Sequence, residues 1–200
     1  MKTINILIVG VGGQGVIMAS DLLAKIGIKE GLDVKKSEIH GMAQRGGSVE
    51  SHVRIGDKVL APLIPKGAAD FMISVEQVEA LRHLDDISKD STILVSTFRA
   101  IPPSVTVGGE TYPETDKIEA ELKRHSNHVA MIDVPSLMRK VGNPRVANII
   151  LLGAMSVFMP FSAAKWLEVI EESMPAKILE INKTAFSVGR EAGEKIKSGF

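Results

Sequence analysis

The 200-residue sequence predicts an α/β fold: three layers, a mostly parallel central sheet with helices on both faces, and a helical C-terminal region. Three observations predict it. Short apolar runs alternate with helical periods as far as residue 134, the pattern of a layered sheet-and-helix domain. A glycine-rich turn, Gly10-Val11-Gly12-Gly13-Gln14-Gly15, joins the first apolar run to the first helical one. From Pro144 onward only helical patterns remain. No repeat, charge block or linker interrupts the chain, so residues 1–200 read as one domain.

Taken in order, Ile4-Asn5-Ile6-Leu7-Ile8-Val9 is an apolar run bounded by glycine and predicts a buried strand. Val16 to Glu30 spaces Ile17, Leu22, Leu23, Ile26 and Ile28 as a helix does, and Gly31 is the stop. Val34–Glu38 predicts a second strand. Val49, Ser51, Val53 and Ile55 alternate with Glu50, His52 and Arg54, so that strand is expected to be half exposed. Gly56-Asp57 signals a turn, with Lys58–Ala61 returning as a hairpin. Phe71–Val75 and Thr92–Ser96 are strands on either side of a helix near Glu76–Leu84. Pro102-Pro103 and Gly108-Gly109 make 101–112 irregular, with an edge strand at Val105–Val107. A charged helix over Glu114–His125 and a strand over His128–Val134 complete the sheet. Asn143 caps a helix over Arg145–Met159 that opens with Pro144. Helices over Ser162–Glu172 and Ala176–Ser198 follow, and they are expected to cover the sheet, since parallel strands need cover on both faces.

Composition excludes several functions. Apolar residues make up 44% and charged residues 24%, near the globular average, and formal net charge is zero. Nucleic-acid binders usually carry a basic excess, and at 4% aromatics base-stacking platforms are few. There is no cysteine. That removes disulfides, thiolate zinc sites, cysteine nucleophiles and cysteine-ligated iron–sulfur clusters together. The apolar run from Val146 to Phe161 contains Asn148 and Pro160 and falls short of the ~20 residues a membrane helix needs. It reads as a buried core helix. With no signal-peptide pattern either, a soluble, cytoplasmic protein is expected.

The turn Gly10-x-Gly12-x-x-Gly15 follows a strand and opens a helix, the context of a dinucleotide fingerprint. Its glycines let backbone approach a phosphate, and the helix start supplies amide donors. Glu38 stands about 20 positions further on, where a ribose-binding acid belongs. Against a bound nicotinamide, Lys35, Lys36 and Ser37 are too polar for a central strand, so NAD binding is expected to be weak or nil. Gln14 both donates and accepts hydrogen bonds, which suits contact with a ligand or a neighbouring chain. The bland reading, a tight strand–helix turn with no ligand, stays open.

The second loop, His40-Gly41-Met42-Ala43-Gln44-Arg45-Gly46-Gly47, sets an imidazole, an amide and a guanidinium among glycines. Arg45 has the geometry to grip a phosphate or carboxylate in bidentate fashion. By chemistry alone His40 reads as a surface histidine. If the first two strands run parallel, both loops leave the sheet at one edge and share a polar patch of Gln14, His40, Gln44 and Arg45.

At this point the sequence resembles a known family. The glycine turn with Arg45-Gly46-Gly47 is similar to the gamma subunit, or gamma domain, of 2-oxoacid:ferredoxin oxidoreductases. The longer run Glu38-Ile39-His40-Gly41-Met42-Ala43-Gln44-Arg45-Gly46-Gly47-Ser48-Val49 most resembles the beta subunits of the indolepyruvate-type enzymes. Asn148–Ala154 resembles the family's Asn-xxx-Leu-Gly-Ala helix, and Asn182–Gly189 its Asn-xx-Ala-Phe-xx-Gly stretch, so the likeness spans nearly the whole chain.

The resemblance implies an oxidative decarboxylation in which a 2-oxoacid, coenzyme A and oxidised ferredoxin give an acyl-CoA, carbon dioxide and reduced ferredoxin. It implies that thiamine diphosphate and the iron–sulfur clusters sit on a partner alpha subunit. Here there is no cysteine, and Gly56-Asp57-Lys58 is not a Gly-Asp-Gly diphosphate motif. The chain would then be an accessory subunit, inactive alone. Its binding residues would be Gly10, Gly12, Gly13, Gln14, Gly15, His40, Gln44, Arg45, Gly46 and Gly47, near the coenzyme A or thiamine region. Related gamma chains serve pyruvate, 2-oxoisovalerate and 2-oxoglutarate enzymes, so the 2-oxoacid stays open, as does a stand-alone nucleotide-binding oxidoreductase.

The remaining candidates read as structural. His125 and His128 have no third ligand and suit capping or the surface. His52 is expected to be solvated, and His83 to lie on a charged helix face. Ser20-Asp21 lacks a histidine partner for a hydrolase triad. The methionines read as core filler. Asn148 and Asn182 suit helix caps or cross-links, and Gly153 close helix packing.

Overall fold

A computed structural model describes residues 1–41, 46–101, 103–106, 108 and 111–200. The chain runs β1 (Ile4–Val11), α1 (Val16–Lys29), β2 (Asp33–His40), β3 (Ser48–Gly56), β4 (Ala69–Ser74), α2 (Gln77–Leu81) and β5 (Ile87–Ser96). It continues with α3 (Pro103–Thr106), α4 (Thr115–His125), β6 (His128–Ile132), α5 (Val134–Val141), α6 (Ala147–Ser156), α7 (Ala163–Ser173) and α8 (Ala176–Lys197). The strands form one sheet in the order β2-β3-β1-β4-β5-β6. β1, β4, β5 and β6 are parallel, while β3 runs antiparallel to both β1 and β2. β2 therefore points the same way as β1, but one strand removed from it.

Alternation along the strands divides the core in two. Ile6, Ile8, Ile73 and Leu94 face a cluster built with Leu23 and Ile26 of α1, Ile149 and Ile150 of α6, Trp166 of α7 and Phe186 of α8. Leu7, Val9, Met72, Ile93 and Val95 face the opposite layer, where Ala80 of α2 and Ile118 and Leu122 of α4 close the core. This is the predicted three-layer arrangement.

β3 differs from its expected half-exposed state. It is an internal strand, and Val49, Ser51, His52, Val53 and Ile55 are all buried. One of its faces packs on α1; the other is crossed by residues 57–66. These do not form the expected hairpin. Pro62 and Pro65 cannot donate to a ladder, and polar side chains from β2 and β3 bind the backbone instead. Asp33 Oδ2 accepts from Val59 N at 2.8 Å, Arg54 Nη1 donates to the carbonyls of Ala61 (3.0 Å) and Leu63 (3.2 Å), and His52 Nδ1 accepts from Ile64 N at 3.3 Å. The segment is a strap held by side chains.

Other departures are local. The expected edge strand at Val105–Val107 is a helical turn in its described part, α3, with Val107 outside the described residues. The helix expected from Arg145 begins at Ala147, because Asn143 Oδ1 takes the Arg145 amide in a turn (2.8 Å) rather than capping the helix. The helix near Glu76–Leu84 is shortened to α2, with a separate 3-10 turn at Leu84–Asp86. The helix α5 was not anticipated, although Asp133 caps Ser136 N at 3.0 Å and Gly142 terminates it.

α6 and α8 approach until backbones touch. A methyl group built on Gly153 would lie 2.2 Å from Phe186 O, one on Gly189 2.0 Å from Ile150 O, and one on Gly193 2.3 Å from Ala154 O. Small residues thus let α8 seat against a helix that is buried from Asn148 to Ser156. Gly189→Ala must push the helices apart, an overpacking cost of about 1–3 kcal/mol. Gly199→Ala, whose added methyl would meet nothing closer than 3.5 Å, is the comparison. Urea unfolding should show the midpoint of the first variant clearly lowered and that of the second nearly unchanged.

Candidate functional site

The site is assembled at one sheet edge, where β1 and β2 end and β3 begins. Register places Gly10 opposite Val49 and Val49 opposite His40, a row across three strands. Gly10 sits where chain, helix and neighbouring strand converge: an added methyl would meet Gln14 Oε1 at 2.8 Å, Val16 Cγ2 at 3.0 Å and Val75 Cβ at 3.3 Å. Gln14 closes the turn locally. Its Oε1 accepts from Val11 N at 2.8 Å, and its own amide donates to Val11 O at 3.1 Å. Gly13 (φ +99°) and Gly15 (φ +79°) occupy the left-handed region that favours glycine. Gly15 is also the N-cap of α1, and being glycine it offers no side chain to the first-turn amides.

The two glycine loops meet, as expected. Gly12 N donates to Gly47 O at 2.8 Å, and Gly41 N donates to Ser48 O at 3.3 Å. Between them opens a cleft of about 600 Å³, walled by Val11, Gly12, Gly13, Gly15, Val16, Ile17, His40 and Val49. His40 is exposed at the end of β2, and Ile17 is 45% exposed on the first turn of α1. Gly46 and Gly47 lead into β3. Gln44 and Arg45, expected to share this patch, lie outside the described residues. The cleft offers uncapped helix amides, an imidazole and apolar walls, a set suited to a ligand carrying both anionic and apolar parts.

The dinucleotide reading fits this geometry poorly. A ribose-binding acid belongs on a strand adjacent to β1. Here β3 intervenes, moving the end of β2 outward by about 5 Å. Glu38 is moreover paired with Lys36 at 2.6 Å, and Lys36 also pairs with Asp21. The implied thiamine and cluster groups do not fit this chain either. It has no cysteine, and among the described residues no group of three or more His, Asp or Glu side chains is placed to hold a metal. Asp57 follows the far end of β3, away from the glycine loops.

Two histidines expected at the surface are buried. His52 is 5% and His83 8% exposed. His83 Nδ1 lies 3.2 Å from Glu50 Oε2 and 3.1 Å from Asp86 Oδ2; His52 Nε2 lies 3.8 Å from Glu50 Oε1; Lys66 Nζ pairs with Asp86 Oδ1 at 2.9 Å. Alternation read His52 as outward, which is correct for the strand, but the strap then covers it. His125 remains a surface residue 3.4 Å from Glu121, and His128 stacks near Phe200. Ser20 donates to Ile17 O and has no catalytic partner in that bond. Asn182 bonds back to Ile178 O at 2.7 Å, and Gly153 packs helices. Asn148 proves more consequential: its Nδ2 donates to Gly15 O at 3.1 Å, fastening α6 to the start of α1.

The chain belongs to the pyruvate ferredoxin/flavodoxin oxidoreductase family, whose model matches residues 5–192. It is 43% identical over 188 residues to the indolepyruvate oxidoreductase subunit IorB of Archaeoglobus fulgidus, covering 93% of each chain. It shares its fold with the keto/oxoacid ferredoxin oxidoreductase gamma subunit of Geobacter sulfurreducens (TM-score 0.72, 22% identity, 99% of this chain and 98% of that one). It also shares it with the 2-oxoglutarate:ferredoxin oxidoreductase of Magnetococcus marinus, solved with 2-oxoglutarate, coenzyme A and succinyl-CoA bound (TM-score 0.77, 20% identity). There the match covers 98% of this chain and 32% of the longer one.

The strap has a pH dependence of defined sign. Burial lowers the His52 pKa from 6.5, outweighing the opposite pull of Glu50 and Asp86, while His83 pushes the same way as burial. Neutral His52 accepts from Ile64 N; an imidazolium cannot. The unfolded chain takes up this proton as pH falls through 6.5, before the folded chain does. Stability is therefore complete above that value and declines below it. The protection of the Ile64 amide, its exchange rate relative to that of an unstructured chain at the same pH, should fall as the pH drops below about 6.5. His52→Asn, which keeps an acceptor but does not titrate, should flatten that profile.

Proposed function

We propose that this chain is the accessory subunit of an indolepyruvate:ferredoxin oxidoreductase, supporting the oxidative decarboxylation of an aryl 2-oxoacid to its acyl-CoA. The observation that carries this reading is the 43% identity to an indolepyruvate oxidoreductase subunit over 93% of both chains. In the reaction the bond between the keto carbon and the carboxylate breaks, carbon dioxide leaves, the electron pair passes to ferredoxin, and coenzyme A takes the acyl group. Thiamine diphosphate supplies the carbanion chemistry and iron–sulfur clusters the electron path, and both belong to an alpha partner. What this chain contributes is a set of binding residues for coenzyme A and for the partner near its thiamine region: Gly10, Gly12, Gly13, Gln14, Gly15, His40, Gln44, Arg45, Gly46 and Gly47.

The geometry supports a binding role over a chemical one. Glycines at the loop junction bring backbone donors to the cleft without side chains in the way. His40 is exposed and bonds only weakly to its neighbour, 3.4 Å from Gly41 O, so it is available to a ligand or partner. No helix among the described residues is long and apolar enough to cross a membrane, in keeping with an enzyme working with soluble ferredoxin in the cytoplasm.

The test is reconstitution. The pure chain, given indolepyruvate, thiamine diphosphate, coenzyme A and a viologen acceptor, should reduce nothing; adding the alpha subunit that co-purifies with it should restore turnover. Reduction by the chain alone would overturn the reading. In the complex, His40→Ala and Arg45→Ala should each cut coenzyme A-dependent turnover by about tenfold, the loss of ~1.4 kcal/mol, with assembly retained by gel filtration.

A further inference from the structure

β2 is the outermost strand on its side of the sheet, with β3 inward of it and, among the described residues, no strand beyond it. It pairs with β3 over eight residues in unbroken register, without a bulge or a proline. Gly41 N donates to Ser48 O, so by alternation the odd-numbered residues of β2 turn their backbone groups to β3. The amides and carbonyls of Val34, Lys36, Glu38 and His40 therefore point out of the sheet. Such a border is a template for a further strand, and proteins that keep it unpaired blunt it with short strands, bulges, prolines or free lysines. Here both lysines are neutralised: Lys35 pairs with Asp33, and Lys36 pairs with Asp21 and, at 2.6 Å, with Glu38.

The border is complementary to itself. Two copies of one strand pair antiparallel about a two-fold axis normal to the sheet, and each side chain then lies opposite one on the same face. With the axis at Ser37, Lys36 of each copy lies opposite Glu38 of the other, Val34 opposite His40, and Lys35 opposite Ile39. The pairs formed by Lys36 with Glu38 and by Val34 with His40 are those whose backbone groups point outward, so they are the hydrogen-bonded ones. Moving the axis by one residue sets Lys36 against Lys36 or Glu38 against Glu38, and like charges directly opposite are destabilising. The charges select one register.

Both layers beside the border agree. Ile17, Asp21, Ala24 and Ile28 recur at helical spacing on the side of α1 from which Asp21 reaches Lys36, and Ile17 and Ile28 (63%) are exposed there. α1 lies over β2 and β3, so its axis stands ~5 Å from a two-fold placed half a strand spacing beyond β2. Two copies of α1 then run antiparallel ~10 Å apart, the upper end of ordinary helix packing distances, with Ile17 of one beside Ile28 of the other. On the opposite face, the bond from Val59 N to Asp33 sets Leu60, 85% exposed, at the start of β2. There the partner's Ile39, itself exposed, arrives opposite Lys35 and covers it.

We propose that β2 pairs antiparallel with β2 of a second copy of this chain about a two-fold axis at Ser37, so that two six-stranded sheets become one and the α1 helices close over the seam. The argument from charge, backbone direction and apolar cover is independent of the function proposed above.

The chain has no cysteine, so a single introduced one reports its own neighbours. At a non-hydrogen-bonded antiparallel pair the Cα atoms are ~4.5 Å apart, within the ~4.4–6.8 Å that a disulfide spans. Ser37→Cys, treated with oxidised glutathione in the full chain and in its complex with the alpha subunit, should yield a disulfide-linked pair of copies of this chain. Lys35→Cys should not, because its symmetry mate is four residues along the seam, at least ~13 Å away. Light scattering should give the unaltered chain twice its 21.5 kDa mass. Glu38→Lys, which lines the seam with lysines, should raise the dissociation constant of the pair at least about tenfold. Adding Lys36→Glu, with Asp21→Asn to remove the carboxylate beside it, should recover the pair. A single copy both alone and in the complex, or linkage at Lys35→Cys as ready as at Ser37→Cys, would overturn the inference. So would a complex in which the alpha chain protects the β2 amides from exchange while Ser37→Cys stays unlinked; the border would then belong to the alpha chain, and the proposed function would stand.

Discussion

The antiparallel return of β3 between β1 and β2 is the constraint from which the site follows. A glycine turn at the end of β1 leaves backbone donors that a conventional crossover would offer to solvent or ligand. Because β3 enters the sheet at that edge, Gly47 just before it meets the turn, and Gly47 O takes the Gly12 amide. The same insertion moves Glu38 away from β1 and so removes the acid on which dinucleotide binding depends. It also creates a strand that must satisfy neighbours on both sides while carrying Glu50, His52 and Arg54 on one face. Those side chains need partners once buried: the strap of residues 57–66 supplies them to His52 and Arg54 through its backbone groups, and Glu50 pairs with His83. One strand direction thus joins the loops, separates Glu38 from β1 and determines how a polar sheet face is covered.

A second dependence runs through α6. Its burial is so complete that its position is dictated by packing, and the three glycine contacts with α8 make that packing close. Asn148 lies in the first turn of this helix, so its bond to Gly15 transfers the rigidity of the core to the mouth of the glycine turn. A Cβ on Gly15 would lie 2.6 Å from that amide nitrogen, which shows how little room is left at the joint. Stability and site geometry are here the same contacts seen from two ends.

Much of this was legible in the residues. The boundaries of α1, the three-layer plan and the small-residue role of Gly153 all follow from local pattern. That the two glycine loops lie at one end of the sheet was legible too, because β1 and β2 point the same way; the bond that joins them needs the return of β3. What was not legible depends on contacts distant in sequence. His52 alternates outward on its strand, and nothing nearby in sequence says that a strap will cover it. The strap itself resembles a hairpin until its prolines and the side chains of Asp33 and Arg54 are considered together. Val105, β-branched among glycines and prolines, suggested a strand, yet the segment turns as a helix. Asn148 was readable as a helix cross-link, but its partner is 133 residues away, so that bond could not be read.

The way this edge presents charge bears on what an accessory subunit has to do. A co-substrate must arrive and leave in each turnover, so its site needs attraction without a deep electrostatic well. Helix starts meet that need: their partial charges are fixed by the backbone, are worth about 0.3–1 kcal/mol each at exposed positions, and fade within a turn. Two of them are joined here by the bond from Asn148 Nδ2 to Gly15 O, so their fields add at short range. Glycines at such a turn have a related effect, since they expose backbone donors without side chains that a ligand would have to order on binding. On the function proposed above, a chain lacking cysteine serves a redox reaction by making the approach of one reactant selective and reversible.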